Sequence, residues 1–595
     1  MTSFKKRNML CGEPREEHAG KEVILNGWVS NVRNLGGLMF IDLRDRYGLV
    51  QLVIEPESQA ELYARAIELK QEYVIWAHGT IRNRENPNPK IPTGMVEVVL
   101  DDYGVISKSE LPPFEISDKT EASEEIRLQY RFLDLRRKAL LQKFIVRNEV
   151  YQILHKYFHE NGFLEVETPV LMRSTPEGAR DFLVPSRINK GRFYALPQSP
   201  QLYKQILMVS GFDKYMQIVK CFRDEDLRSD RQPEFTQVDV EMSFVKTDDV
   251  LTLIEGLIVR IWKEILGMDI EKKFYRMTYD EAMTRFGSDK PDLRYGLELK
   301  QINEIAENCG FSVFSDCVKN GGIVGVLNAK SCAKYSRKQI DSLTEFAKKY
   351  GAKGLAWMKF DGGKVTSSFL KYMKEEEIEA IKKQAEAEDG DLLLFVSDKK
   401  IKALTALGAL RIQIAKLTGI FDKIKDKFSF HWVVEFPLFE WDEAEERFSA
   451  MHHAFTAPME EDVEYLKSDT GRVRSNTYDL VINGAEVGGG SIRIHDSEVQ
   501  KIIFELMNLT DEQIETKFGW FVKALTFGAP PHGGLALGLD RLIMTLCGTD
   551  NIRDVIVFPK TTSGLGLMDG CPAGVDERQL ADLGIATVKK DDKVL

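Results

Sequence analysis

Residues 527–541, FGAPPHGGLALGLDR, constrain the fold more than any other stretch. The Pro530-Pro531 pair sets a turn, and the glycine-rich apolar run after it reads as a buried strand. Asp540-Arg541 stands where such a run becomes a helix. Glycines leave the strand bare of side chains, so a flat ligand such as a nucleotide base can lie on the backbone. A guanidinium at the corner can then cover it. An ordinary buried strand-to-helix corner has the same pattern, so the stretch gains meaning only from partners elsewhere in the chain.

The 595 residues are enough for several domains, and 43% of them are hydrophobic. No apolar run approaches the length needed to cross a bilayer, which argues against a membrane partner. The seven cysteines are scattered without a CxxC pair, which fits a reducing, cytoplasmic setting. A net charge of −11 disfavours general adhesion to polyanions, so a nucleic acid must be held by local basic surface. Residues 21–105 show five short strands with a helix between the third and fourth, the pattern of a small OB-type barrel. Residues 108–138 are charged and contain Pro112-Pro113, reading as a linker. A long amphipathic helix follows, from about Leu140 to Asn161, and strands and loops dominate from Phe163 to Val245. Residues 289–427 read as a separate α+β module, after which the strand-rich pattern returns.

Two further segments carry chemistry. In CFRDEDLRSDRQPEFTQVDVE (221–241), a strand enters a charged loop and leaves through FTQVDVE. Phe235, Gln237, Asp239 and Glu241 share one face by period two. Arg223, Arg228 and Arg231 suit a polyphosphate, and Arg223 at the strand end is the best candidate for an α-phosphate. In NTYDLVINGAEVGGGSIRIH (476–495), Asn483-Gly484 predicts a two-residue hairpin turn. In that register Val481 opposes Glu486, and Asp479 becomes its diagonal neighbour, roughly 7 Å away between backbones. Two carboxylates so close suit a cation, and oxygen ligands beside a phosphate substrate favour Mg²⁺. Two solvated surface acids are the plain alternative.

With these pieces placed, the chain resembles the bacterial-type aspartyl-tRNA synthetases, class II enzymes of the lysine/asparagine/aspartate subgroup, over nearly its whole length. FLEVETPVL (163–171) resembles motif 1 of that class, 222–241 motif 2, and GLALGLDR motif 3. The resemblance implies an α+β multidomain fold. An OB-type anticodon-binding barrel spans 1–107 and a linker 108–138. An antiparallel-sheet catalytic domain takes 139–288 and 428–562, the bacterial insertion 289–427, and a C-terminal extension 563–595. It implies ligation of L-aspartate to tRNA-Asp with ATP and Mg²⁺ by a homodimer. The alternative is an enzyme that also aspartylates tRNA-Asn.

The resemblance also implies residue roles. Arg223, Glu486 and Arg541 would be catalytic. Arg223, Asp224, Glu225, Gln232 and Glu486, with Gly538, Leu539, Asp540 and Arg541, would hold ATP. Asp479 and Glu486 would carry the metal. Lys204 and Arg493 would clamp the aspartate side chain, while Glu177, Gln201, Asp239, His452 and His453 surround its amino group. On the barrel, Phe40 would stack on an anticodon base, with Arg33, Gln51 and Glu97 as further contacts. Leu35 occupies a place where histidine accompanies enzymes that also charge tRNA-Asn, so leucine favours a discriminating enzyme.

Overall fold

The computed structural model describes residues 4–35, 37–175, 179–443 and 445–588. The chain forms two compact units, 1–142 with 566–571, and 143–565 with 572–595.

In the first unit, strands Glu22–Leu35, Leu38–Arg44, Leu49–Ile54, Val74–Asn83 and Val96–Ser107 close into a barrel. Alternation drives it. Val23, Leu25, Ile41, Leu43, Leu52 and Ile75 point inward and are fully buried, while polar neighbours face out. The helix Ala60–Ala66 lies between the third and fourth strands and buries Leu62 and Ala66. Residues 108–138, expected as a linker, hold two short helices, Glu124–Gln129 and Arg131–Asp134. Part of their charge is paired inward rather than solvated. The buried Asp134 carboxylate gathers Arg131 at 2.9 Å and Arg137 at 2.6 Å.

The second unit is built on an eight-stranded sheet. Its order is Tyr275–Thr278, Phe430–Val434, Thr477–Ile482, Ala485–Ile492, His532–Gly538, Glu234–Ser243, Lys214–Phe222 and Leu164–Glu165. The inner pairs are antiparallel and the two outermost pairs parallel. One face is covered by the helices Lys138–Glu160, Thr247–Ile261 and Leu539–Cys547, which pack on Val238, Val240, Leu480 and Leu535. The other face carries the polar residues of the same strands. Thus Val238, Val240 and Met242 enter the core, and Gln237, Asp239 and Glu241 alternate with them. Several helices were not anticipated, among them Lys400–Leu417 of the inserted module. Gln201–Val209 interrupts the expected strands and loops, and Ser497–Leu506 and Asp511–Leu525 precede the last strand.

The chain leaves this sheet after Tyr275–Thr278 and returns in its neighbour Phe430–Val434. Between them stands a second sheet of order Leu299–Gln301, Ile323–Ala329, Leu392–Asp398, Ala356–Asp361 and Lys364–Ser367. Helices Arg337–Lys348 and Lys400–Leu417 cover one face, Ser312–Lys319 and Glu375–Gln384 the other. Among the described residues no helix is long and apolar enough to cross a membrane.

His431, in the strand Phe430–Val434, is fully buried, and among the described residues neither ring nitrogen has a hydrogen-bond partner. Burial pushes its pKa down to about 4. The unfolded chain therefore takes up this proton first, and stability present above pH 6.5 is lost as pH falls toward 4. The loss at pH 5 is about 2 kcal/mol. His431→Leu is expected to lose less of its thermal midpoint between pH 7.5 and pH 5 than the wild type; a parallel loss excludes this source.

Candidate active site

A cavity of about 470 Å³ opens on the polar face of the eight-stranded sheet. Gln201, Lys204, Arg223, Glu225, Gln232, Asp239, His452, His453, Asp479, Glu486, Arg493, Gly538, Asp540 and Arg541 all line it. Residues separated by more than three hundred positions thus meet in one place. Asp224 and Leu539 do not line it. Asp224 makes a backbone bridge to Arg180, and Leu539 is buried in the core beneath the site. Glu177 lies outside the described residues.

The inner end is a buried charge cluster. Helix Gln201–Val209 places Gln201 and Lys204 one turn apart on the same face. Lys204 Nζ stands 2.7 Å from Asp239 Oδ1 and 3.3 Å from Glu241 Oε2. Arg493 meets the same Glu241 through Nε at 2.9 Å and Nη2 at 3.2 Å. Its Nη1 donates to Ser491 Oγ at 2.7 Å and to His453 Nε2 at 2.9 Å. Burial and the adjacent guanidinium hold the His453 pKa well below its ordinary value, so this ring is neutral. Burial also pushes the Asp239 carboxyl up against the pull of Lys204. Glu241 was placed on this face from the sequence but given no role. It is the carboxylate shared by both cations, and no local pattern signals that sharing.

Among the described residues, three polar atoms at the cavity are buried without a partner: Gln201 Nε2, Arg223 Nε and Asp239 Oδ2. Two are donors and one is an acceptor. Leaving such groups unpaired costs about 1–3 kcal/mol each, so their convergence points to a ligand that supplies both acceptor oxygens and a donor.

The outer end carries the arginines. Arg223 directly follows the strand Lys214–Phe222, and its guanidinium lies 5.1 Å from the Phe235 ring centre. Its ion pair to Glu225 is long, 4.0 Å. Arg541 stands in the first turn of Leu539–Cys547, donating to the Glu486 carbonyl at 2.9 Å and to Asp230 at 3.2 Å. The Asp540 carboxylate is held by the Thr236 amide at 2.8 Å and Arg147 at 2.5 Å, which pins the corner to the long helix Lys138–Glu160. The Gln232 carboxamide brackets the Lys560 backbone, at 2.8 and 2.9 Å.

Between the two ends lies the hairpin. Asn483 (φ 53°) and Gly484 (φ 79°) form the expected left-handed turn. Val481 pairs with Glu486, and a bulge then pairs Asp479 with Gly489. A Cβ on Gly489 would lie 2.5 Å from Asp479 Oδ1 and 3.8 Å from Glu486 Oε1, so both carboxylates converge over this glycine. Burial, reinforced by Glu486 and Asp289, raises the Asp479 pKa to about 6. His452 Nε2 lies 3.9 Å away. Burial would lower its pKa, but the Asp479 carboxylate with Glu486 and Asp289 nearby outweighs that and holds it above the ordinary value. Among the described residues no group of three or more His, Cys, Asp or Glu forms a metal cage. Two hard carboxylates with excess negative charge fit Mg²⁺, which takes one or two carboxylates and completes its shell with phosphate oxygens.

On the barrel the strand register places Arg33 opposite Phe40 and Asp42 opposite Gln51. Arg33 donates to Asp42 at 2.7 Å and to Gln51 at 3.2 Å, and Gln51 donates to Glu97 at 2.7 Å. The Arg33 guanidinium lies 5.9 Å from the Phe40 ring centre. Leu35, at the strand end, is exposed. The five residues singled out from sequence therefore lie on neighbouring strands, four of them linked.

This fold and site define a class. Residues 123–562 match the tRNA synthetases class II (D, K and N), and residues 23–106 match the OB-fold nucleic acid binding domain. The chain belongs to the class II tRNA synthetases of that D, K and N group. It is 53% identical over 587 residues to the aspartate--tRNA(Asp/Asn) ligase of Geotalea uraniireducens, covering 98% of this chain and 99% of that one. It is 52% identical over 589 residues to the aspartate--tRNA ligase of Clostridium perfringens strain 13, covering 99% and 98%. The solved asparaginyl-tRNA synthetase of Pyrococcus horikoshii, complexed with asparaginyl-adenylate, shares the fold. Its TM-score is 0.59 at 20% identity, covering 93% of this chain and 98% of that one.

Proposed function

We infer that this protein is an aspartate--tRNA ligase. It joins L-aspartate to tRNA-Asp in two steps, using ATP and releasing pyrophosphate and then AMP. The observation that carries the reading is the set of three unpartnered atoms beside the Lys204–Arg493 cluster. Two buried donors and one acceptor are the complement of an amino acid with its carboxylate and ammonium. Asp239 Oδ2 receives the ammonium. Gln201 and Arg223 hold the α-carboxylate, and Lys204 and Arg493 face the side-chain carboxylate. An aspartate carboxylate oxygen attacks the α-phosphorus as the bond to pyrophosphate breaks. The terminal ribose of tRNA then attacks the adenylate carbonyl and AMP leaves. Positioning and fixed positive charge supply the catalysis. Asp479 and Glu486 would hold Mg²⁺, which when bound neutralises phosphate charge. Aminoacylation of purified tRNA-Asp with aspartate tests the reading, and absence of aspartyl-adenylate formation overturns it.

The domain division follows the same reading, with the barrel at the anticodon, residues 139–288 and 428–562 holding the chemistry, and 289–427 inserted between them. Phe40→Ala is expected to weaken tRNA-Asp binding by about tenfold, since one stacked base contributes roughly 1–3 kcal/mol. Aspartate-dependent ATP–pyrophosphate exchange should stay unchanged; unaltered tRNA binding removes Phe40 from the interface. Leu164, Val170 and Leu171 in motif 1 are apolar side chains about half exposed, which supports a homodimer joined there. All seven cysteines are free thiols, in keeping with the cytoplasm. A second reading, charging of tRNA-Asn as well, draws support from the Geotalea relative's name. Parallel charging assays on the two tRNAs decide it.

A further inference from the structure

The segment 286–297, which leads from the catalytic sheet into the inserted module, is fixed from one side by that module. Gly287 (φ 65°) packs on the helix Lys400–Leu417 so closely that a Cβ on Gly408 would run into the Gly287 carbonyl. One turn further along, the buried Arg411 donates to the carbonyls of Asp292 (2.6 Å), Gly296 (2.6 Å) and Leu297 (3.2 Å) and to the Tyr295 hydroxyl (3.0 Å). Its guanidinium lies 4.2 Å from the Tyr295 ring centre and 5.0 Å from that of Phe286. Burying a guanidinium is unfavourable unless its donors are satisfied. Here they are satisfied by main-chain carbonyls, so the result is a backbone segment of defined shape.

On its other side the same segment meets the Asp479/Glu486 hairpin. Asp292 backs the turn, where a Cβ on Gly484 would lie 2.8 Å from the Asp292 Cβ. Lys290 Nζ stands 3.7 Å from Glu486 Oε2, with both side chains more than a third exposed. That separation is an ion pair but not a hydrogen bond. An exposed pair of this kind contributes about 0–1 kcal/mol to stability, so holding the fold does not account for the lysine. The Glu486 carbonyl is already held by Arg541. Arg541 thus holds the Glu486 main chain while Lys290 stands at its carboxylate. A triphosphate brought to this hairpin meets Asp479 and Glu486 with Asp289 nearby, and the Lys290 ammonium beside Glu486 offsets part of that repulsion.

We propose that Lys290 binds the pyrophosphate end of ATP, and that Arg411 of the inserted module is the positioning residue that holds the Lys290 segment in place. This rests on the adenylate-forming reading above and gives the module a part in the first step without contact to the reacting atoms. In the full-length enzyme, Lys290→Gln is expected to raise the KM for ATP and for pyrophosphate in the exchange reaction by about tenfold or more, the scale of a lost charged hydrogen bond. The KM for aspartate should not change. Equilibrium binding of ATP without aspartate should weaken by the same factor, and Lys290→Arg should restore most of it. Arg411→Met should reproduce the ATP and pyrophosphate defect, and the double variant should add little to either single one. A general weakening of the fold would raise the aspartate KM as well. Should Arg411→Met not fold, Lys290→Gln decides alone. Unchanged ATP and pyrophosphate constants in Lys290→Gln, beside an active wild type, overturn the proposal. A wild type without aspartate-dependent exchange overturns the functional reading instead.

Discussion

Arg223→Ala is expected to abolish aspartate-dependent ATP–pyrophosphate exchange while leaving the protein folded. The side chain stands at the end of a strand whose backbone is fixed independently, since the Arg223 amide donates to the Pro233 carbonyl. Its ion pair with Glu225 is long, 4.0 Å, and more than a third of the side chain is exposed. Truncation therefore removes little stability. The effect on chemistry should be of another order. The buried Nε has no partner among the described residues, and Arg223 lines the cavity in which the proposed reaction would bring α-phosphate and carboxylate together. Losing one preorganised donor at a developing charge costs about 10²–10³ in rate, and Arg223 adds a full charge and the alignment of both reactants. A fall of roughly 10³ or more in kcat is expected, with an unchanged thermal midpoint. Arg223→Lys keeps the charge but not the planar fork, so it should recover only part of the rate. Near-normal exchange in the alanine variant removes Arg223 from the chemistry.

Much of this site was legible because its signals are local. A turn that needs two left-handed residues was written as Asn483-Gly484, and its register brought Glu486 opposite Val481. Period two placed Gln237, Asp239 and Glu241 on one face. The part that was not legible depends on what faces those elements. Glu241 looks like any strand acid until Lys204 arrives from a helix and Arg493 from a distant strand end. That helix, Gln201–Val209, was missed because nine residues ringed by prolines and glycines give too short a period to register. The bulge at Glu486–Gly488 left no signal beyond its glycines, yet it sets how the two carboxylates meet over Gly489.

Charge misled where it was paired. Residues 108–138 read as a charged linker, and within them Asp134 gathers Arg131 and Arg137 next to two short helices. Arg411 in the inserted module is a similar case. Nothing in the sequence signals that it is buried; the carbonyls of Asp292, Gly296 and Leu297 are what satisfy it there. Composition reports which charges exist, whereas the fold decides which of them meet water.

Lys204→Met is expected to lower kcat/KM for aspartate by about 10³ or more, while the affinity for ATP changes little. In the wild type the buried cluster balances: Lys204 and Arg493 stand against Asp239 and Glu241. Removing the ammonium leaves Arg493 alone with two acids, and an incoming aspartate side chain would add a third. Asparagine brings no charge, so its use should fall far less and the preference for aspartate should collapse. The variant should also be less stable, because breaking a buried pair costs about 3–5 kcal/mol. That loss could be mistaken for the functional one, and a second substitution separates them. Lys204→Met combined with Asp239→Asn removes both charges of the pair and should recover much of the thermal midpoint. It should not recover aspartate use, since the cation for the side chain and the acid for the ammonium are then both gone. Recovery of aspartate use together with stability would mean that Lys204 holds the fold and does not read the substrate.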